Sequence, residues 1–113
     1  MHEMAIAQGI LDIALDHAAQ HQAQKVLTIS LSIGQMTGVE PEALLFCFNV
    51  LAEETIAAAA KLDINILPLV GFCQGCGQEF AVEGYRFFCP SCGSAQVEII
   101  SGRELQVAYL EVD

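Results

Sequence analysis

Two Cys-x-x-Cys pairs constrain this chain more than any other feature: Cys73-Gln-Gly-Cys76 and Cys89-Pro-Ser-Cys92, with twelve residues between them. Pairs at this separation read as a zinc site. The turn inside each pair lets two thiolates converge on one ion, and Zn(II) accepts four sulfurs tetrahedrally with no ligand-field preference to violate. Gly77 and Gly93 each follow the second cysteine of a pair. Glycine accepts the positive φ that turns the chain back beneath an ion. With all four positions filled by protein, such a site is closed and therefore structural. Two disulfides or a redox dithiol would use the same residues. A redox motif needs one pair rather than two, and the start Met1-His2-Glu3-Met4 lacks the basic region of a secretory signal. The expectation is reduced cysteines in a cytoplasmic protein.

Around this lobe the chain reads as an α+β body. Residues 3–22 carry Met4, Ile6, Ala7, Ile10, Leu11, Ile13, Ala14, Leu15 and Ala18 on one broad helical arc, with Gln8, Asp12, Asp16 and Gln20 opposite. Residues 25–34 alternate strictly, with Leu27, Ile29, Leu31 and Ile33 against Thr28, Ser30 and Ser32. That is a half-buried strand in a sheet covered on one side. Pro41 opens a second helix, where its missing N–H costs nothing, running to about Thr55. Strands follow at about 62–69 and 104–112, the latter with Leu105, Val107 and Tyr109 on one face. The expected fold is two helices on a small three-stranded sheet, with an inserted zinc-ribbon lobe held by four Cys. The expected division is 1–70 plus 101–113 as the body and 71–100 as the ribbon. Phe80, Val82, Tyr85, Phe87 and Phe88 would form the ribbon's core, and Gly71 and Gly102, near the crossings, would let the lobe rock.

Net charge excludes one function often found on zinc ribbons. The chain carries 14 acidic residues against four basic ones, Lys25, Lys61, Arg86 and Arg103, for a net charge of −10. Binding a polyanion requires Lys and Arg to displace counterions, so no nucleic-acid partner is expected. No apolar run approaches the roughly 20 residues that span a bilayer, so no membrane role is expected either. No nucleophile–base pair, phosphate loop or paired carboxylates suggest an enzyme.

Three other sites could bear chemistry. Cys47 stands alone in the apolar part of the second helix and reads as a small core residue. His17 and His21, at i and i+4, could bind a metal; the plainer expectation is that His17 packs partly buried and His21 meets carbonyls at the helix end. His2 differs by its place. A terminal amine, a backbone amide and an imidazole within two residues can wrap an ion in fused chelate rings. Such nitrogen donors suit Ni(II) or Cu(II).

The opening Met1-His2-Glu3-Met4-Ala5-Ile6-Ala7-Gln8 resembles that of the HypA/HybF family of nickel metallochaperones. So do Ile33-Gly34-x-x-x-Gly38-Val39-x-Pro41-Glu42-Ala43-Leu44, the four-cysteine lobe, and Ser101-Gly102-Arg103-Glu104-Leu105. The resemblance implies a carrier that delivers Ni(II) as transient cargo to the large-subunit precursor of nickel–iron hydrogenase, working with the GTPase HypB. In some bacteria the family also serves urease maturation. It implies that Met1, His2 and Glu3 hold nickel, and that Cys73, Cys76, Cys89 and Cys92 hold structural zinc. The competing function is a zinc-ribbon interaction module whose N-terminus has no role in metal binding.

Overall fold

The computed structural model describes residues 2–113. Helix α1 spans Glu3–Gln20 and buries Ala7, Ile10, Leu11, Ala14 and Ala18, a spacing of three and four that keeps one face on the core. The buried face is narrower than the apolar arc, so Met4 and Ile13 stay 47% and 44% exposed. Helix α2 spans Pro41–Ala52, with Pro41 in its first turn. It stops short of the expected Thr55. Glu54 sits at φ 64°, and the Thr55 N–H and hydroxyl both donate to the Ala52 carbonyl, at 3.0 and 2.7 Å. Those two bonds close the last turn and end the helix.

The helices pack on a three-stranded sheet of order β2-β1-β6, in which β1 is Val26–Gly34, β2 Lys61–Leu67 and β6 Leu105–Val112. β2 runs parallel to β1, which requires a crossover, and α2 supplies it. Ile29, Leu31 and Ile33 are fully buried in a core shared with Ala14, Leu44 and Phe48. Their partners in register on β2 are Leu62, Ile64 and Ile66. The polar face of β1 is not wholly solvated. Ser30 is buried, and its hydroxyl accepts the Asn65 side-chain amide at 3.2 Å.

β6 departs from strict alternation. Ser30 opposes Tyr109, yet the next residue, Leu31, opposes Val107, so Ala108 is left unpaired in a bulge. One extra residue moves everything beyond it to the other face. Val107 and Leu110 therefore both pack on the core, while Tyr109, expected beside Val107, is 52% exposed.

Between Leu67 and Leu105 lies a second sheet, β4-β3-β5, formed by β3 Val70–Cys73, β4 Glu79–Ala81 and β5 Val97–Ser101, antiparallel throughout. Outside the main core the buried hydrophobic residues are Leu69, Cys73, Val82 and Cys89. Tyr85 and Phe88, expected inside, are 67% and 61% exposed. The lobe is too thin to enclose them, and its centre is made of cysteine.

The crossings are interlocked, not hinged. A Cβ on Gly102, which sits at φ 119°, would lie 2.8 Å from Leu69 Cα, and one on Gly71 would lie 2.8 Å from Val97 Cγ1. Met36 N–H donates to the Gly102 carbonyl at 2.8 Å, Leu69 N–H to the Gln35 side chain at 3.2 Å, and the Ser101 hydroxyl to the Pro68 carbonyl at 2.7 Å. The two strands leaving the body are thus tied to each other and to the turn after β1. Small residues here allow close approach of backbones, not rocking.

Gly34 gives the sharpest test. Its φ is −73°, open to any residue, but a Cβ there would fall inside the backbone carbonyl of Gly102. Neither backbone can yield cheaply. Gly34→Ala is expected to cost about 3 kcal/mol, at the upper end of overpacking, read as a lowered denaturation midpoint. Gly9→Ala is the control. A Cβ there meets nothing within 4 Å, and in a helix interior the change should stabilise by about 0.5–1 kcal/mol.

Candidate metal centres

Each cysteine pair is built by the same backbone turn. The Gly77 N–H donates to the Cys73 carbonyl and the Gly93 N–H to the Cys89 carbonyl, both at 2.8 Å. The Cys73 N–H returns to the Gln78 carbonyl and the Cys89 N–H to the Ser94 carbonyl, both at 2.9 Å. Gly77 and Gly93 hold φ of 78° and 75°, as their place in the sequence predicts. The first turn leaves β3 directly; the second precedes β5. Gln74 N–H to the Gln96 carbonyl at 3.0 Å, and the Ser91 hydroxyl to Gln78 Oε1 at 2.8 Å, tie the turns together.

This convergence brings all four sulfurs within 4.8 Å of one another. The short approaches run between the pairs: Cys73 to Cys92 at 3.5 Å and Cys76 to Cys89 at 3.6 Å. A tetrahedron with zinc–sulfur bonds of about 2.3 Å has sulfur–sulfur edges of roughly 3.8 Å. The cluster matches that scale, and its donors are the soft thiolates that zinc prefers. Cys73 and Cys89 are buried while Cys76 and Cys92 are exposed, so one side of the cluster faces solvent.

The thiols do not titrate alike. The Cys92 N–H aimed at its sulfur draws Cys89 down to about 6, and the Cys76 N–H lowers Cys73 in the same way. Cys76 has the help of the Gln78 N–H, but the neighbouring Cys89 sulfur, partial loss of hydration and the other two thiols outweigh it and push it up to about 12. Cys92 is likewise raised, the Ser94 N–H being outweighed by Cys73 and Cys89. Four thiols this close cannot all ionise unaided. A divalent cation held by these four residues would supply the charge that deprotonates them together.

At the other end of the molecule, His2 is exposed and occupies the N-cap position of α1 at φ −91°, ψ 89°. Its carbonyl accepts the Ile6 N–H at 3.1 Å, while its side chain makes no capping hydrogen bond. Met1 lies outside the described residues. Glu3 opens α1, and its Oε2 accepts the Glu40 N–H at 3.2 Å. That N–H is the main cause holding the Glu3 carboxyl below its ordinary range. The contact ties the head of α1 to the head of α2. Nothing local in the sequence announces it, because the partner is a backbone group 37 residues away.

The remaining candidates are not gathered with either group. His17 is exposed rather than partly buried, and at the C-cap it is the His21 backbone N–H that bonds a carbonyl, that of His17, at 3.2 Å. Both rings border an open groove of about 540 Å³ beside Tyr109 and Asp113. Cys47 packs half-buried against the main core. Among the described residues, the four cysteines of the lobe form the cluster of potential ligands, and no helix is long and apolar enough to cross a membrane.

Fold and site together define a small α+β protein with a zinc-ribbon lobe, whose four sulfurs are arranged to take a metal ion. The chain belongs to the HypA family, described as hydrogenase/urease nickel incorporation, metallochaperone, whose profile matches residues 1–112. It is 42% identical over 113 residues to the hydrogenase maturation factor HypA of Prosthecochloris aestuarii, covering 100% of both chains. With the factor of the same name from Alkalilimnicola ehrlichii it again shares 42% over 113 residues and the whole of both chains. Its fold matches the solution structure of the Ni metallochaperone HypA from Helicobacter pylori with a TM-score of 0.69, at 25% identity over 99% of this chain and 97% of that one.

Proposed function

We propose that this chain is a nickel carrier with two metal sites of opposite character. Structural Zn(II) sits in the sulfurs of Cys73, Cys76, Cys89 and Cys92. Ni(II) binds as cargo at the N-terminus, through the Met1 amine, the His2 imidazole and a backbone amide or the carboxylate of Glu3. Residues 1–70 with 101–113 form the nickel-binding unit, and residues 71–100 the zinc unit. The carrier works in the cytoplasm and passes nickel, with a HypB-type GTPase, to the large-subunit precursor of nickel–iron hydrogenase, and to urease maturation proteins where those exist.

The observation that carries this reading is the contrast between the two ends. The four sulfurs already lie within 4.8 Å of one another, and a filled sulfur site offers no vacancy for exchange. His2 is exposed and uncommitted as a cap, so its imidazole can take an ion and release it. Sulfur keeps zinc and nitrogen takes nickel, which separates the ions by ligand softness. A shallow site with few protein ligands suits a protein that must give its ion away.

The test is a nickel titration of the zinc-loaded chain beginning at Met1, with zinc followed by elemental analysis. The expected result is about one nickel bound per chain with zinc retained. Nickel that binds only by displacing zinc, or does not bind, would leave the interaction-module reading in its place.

A further inference from the structure

α2 turns one stripe of side chains outward. Glu42, Phe46 and Val50 stand four residues apart, and Glu53 follows the helix at its end. Phe46 is 67% and Val50 45% exposed, and Glu42 and Glu53 are exposed as well. The stripe is therefore an apolar pair with a carboxylate at each end, the two carboxylates about 16 Å apart along the axis. No Lys, Arg or His occurs anywhere from residue 26 to residue 60, so no cation on this helix or its flanking turns neutralises those ends.

We propose that this stripe docks a protein segment of complementary chemistry: apolar side chains in the middle, Lys or Arg at both ends. An exposed phenylalanine of this size on a helix is the sort of group that anchors an interface, and flanking charges set the register and the choice of partner. A second copy of this chain is the wrong occupant. Whether two α2 helices met parallel or antiparallel, carboxylate would face carboxylate at both ends of the stripe, on molecules that each carry −10. The contact is small, so the complex is transient. It owes nothing to either metal.

The test uses two synthetic helical peptides and the zinc-loaded full chain. One peptide has leucines on one face between terminal lysines; its twin has glutamate in place of every lysine. Binding is followed by fluorescence anisotropy and by amide NMR shifts. The lysine peptide should bind, with shifts centred on residues 42–53, and the twin should not. Phe46→Ser combined with Val50→Ser should weaken binding at least tenfold. Glu42→Gln with Glu53→Gln should weaken it severalfold and flatten its salt dependence. Ile13→Ser, at an apolar position on α1 exposed to the same degree as Val50, should leave binding unchanged, and all variants should keep zinc and the wild-type far-UV circular dichroism. Failure of the lysine peptide to bind, shifts centred elsewhere, or full affinity in the Phe46/Val50 variant would overturn the proposal. So would a concentration-dependent dimer that Phe46→Ser abolishes.

Discussion

Replacing Cys73 by alanine is expected to empty the zinc site and unfold residues 71–100 while leaving the helical body folded. The reason is the poverty of the lobe. Its buried hydrophobic residues are Leu69 and Val82 besides two of the proposed ligands, Cys73 and Cys89. Two aliphatic side chains cannot offset the conformational entropy of some thirty residues at about 1–2 kcal/mol each. A structural zinc contributes on the order of 10 kcal/mol at neutral pH, and on the proposed reading that is what holds the lobe. Losing one thiolate would break the proposed tetrahedron and leave three crowded sulfurs without the cation that would ionise them. Zinc by elemental analysis should fall from one per chain to a small fraction, and amide NMR signals of the lobe should collapse toward random-coil positions. Signals of α1, α2 and the β2-β1-β6 sheet should persist, because their core is continuous without the lobe. Cys47→Ala is the matched control. Cys47 is half-buried against the main core, so its loss should cost about 1 kcal/mol and no zinc. A Cys73→Ala protein that kept a full equivalent of zinc would refute the assignment.

The parts of this fold that a reader of the sequence can recover are those written in local periodicity. The spacing of Cys73, Cys76, Cys89 and Cys92, the helical arc of α1, the alternation of β1 from Ile29 to Ile33 and the proline that opens α2 are all statements about near neighbours; at the start of β1 the alternation fails, because a register shift between Val26 and Thr28 buries Val26 and leaves Leu27 46% exposed. What the sequence hid is non-local. The bulge at Ala108 shifts the face of Leu110 and Tyr109, yet residues 105–112 look like any alternating strand. β3, β4 and β5 are three to five residues long, too short for a period, and are organised by the cysteine turns. Gly102 looked like a hinge because glycine is permissive; its neighbours Leu69 and Gly34, which make it a clamp, lie far away in the chain. At the N-terminus, the exposed place of His2 at the head of α1 follows from its position in the sequence. That Glu3 reaches the Glu40 N–H does not, because only the packing of α1 against α2 brings the two together.

The contact between Glu3 and Glu40 sharpens the prediction for the nickel end, because it fixes one of three candidate ligands to the body and leaves the amine and the imidazole to define the site. If the Met1 amine and the His2 imidazole both bind nickel, the site requires a chain that begins at Met1. Even a short neutral extension turns that amine into an amide and removes a strong donor, while His2→Ala removes the imidazole. Support residues around a metal typically account for 10–100-fold in affinity; loss of a ligand should exceed that, so each change should weaken nickel by on the order of a hundredfold or more. Zinc content and far-UV circular dichroism should stay unaltered, since His2 precedes α1 and its side chain makes no capping hydrogen bond. An extension after Asp113 should leave nickel affinity unchanged. Protons compete with nickel for the amine and the imidazole alike, so affinity should fall steadily as the solution is acidified. Glu3→Gln discriminates within the set. The amide oxygen can still accept the Glu40 N–H, so the helix heads stay joined, and any loss of nickel then reports the carboxylate's charge as a ligand. Unchanged affinity in that variant would assign the third donor to backbone. The measurement is calorimetric titration of five proteins: unmodified, N-extended, C-extended, His2→Ala and Glu3→Gln. Equal nickel affinity in the unmodified and N-extended proteins would eliminate the amine, and the search would move to His17 and His21 on the groove beside Asp113.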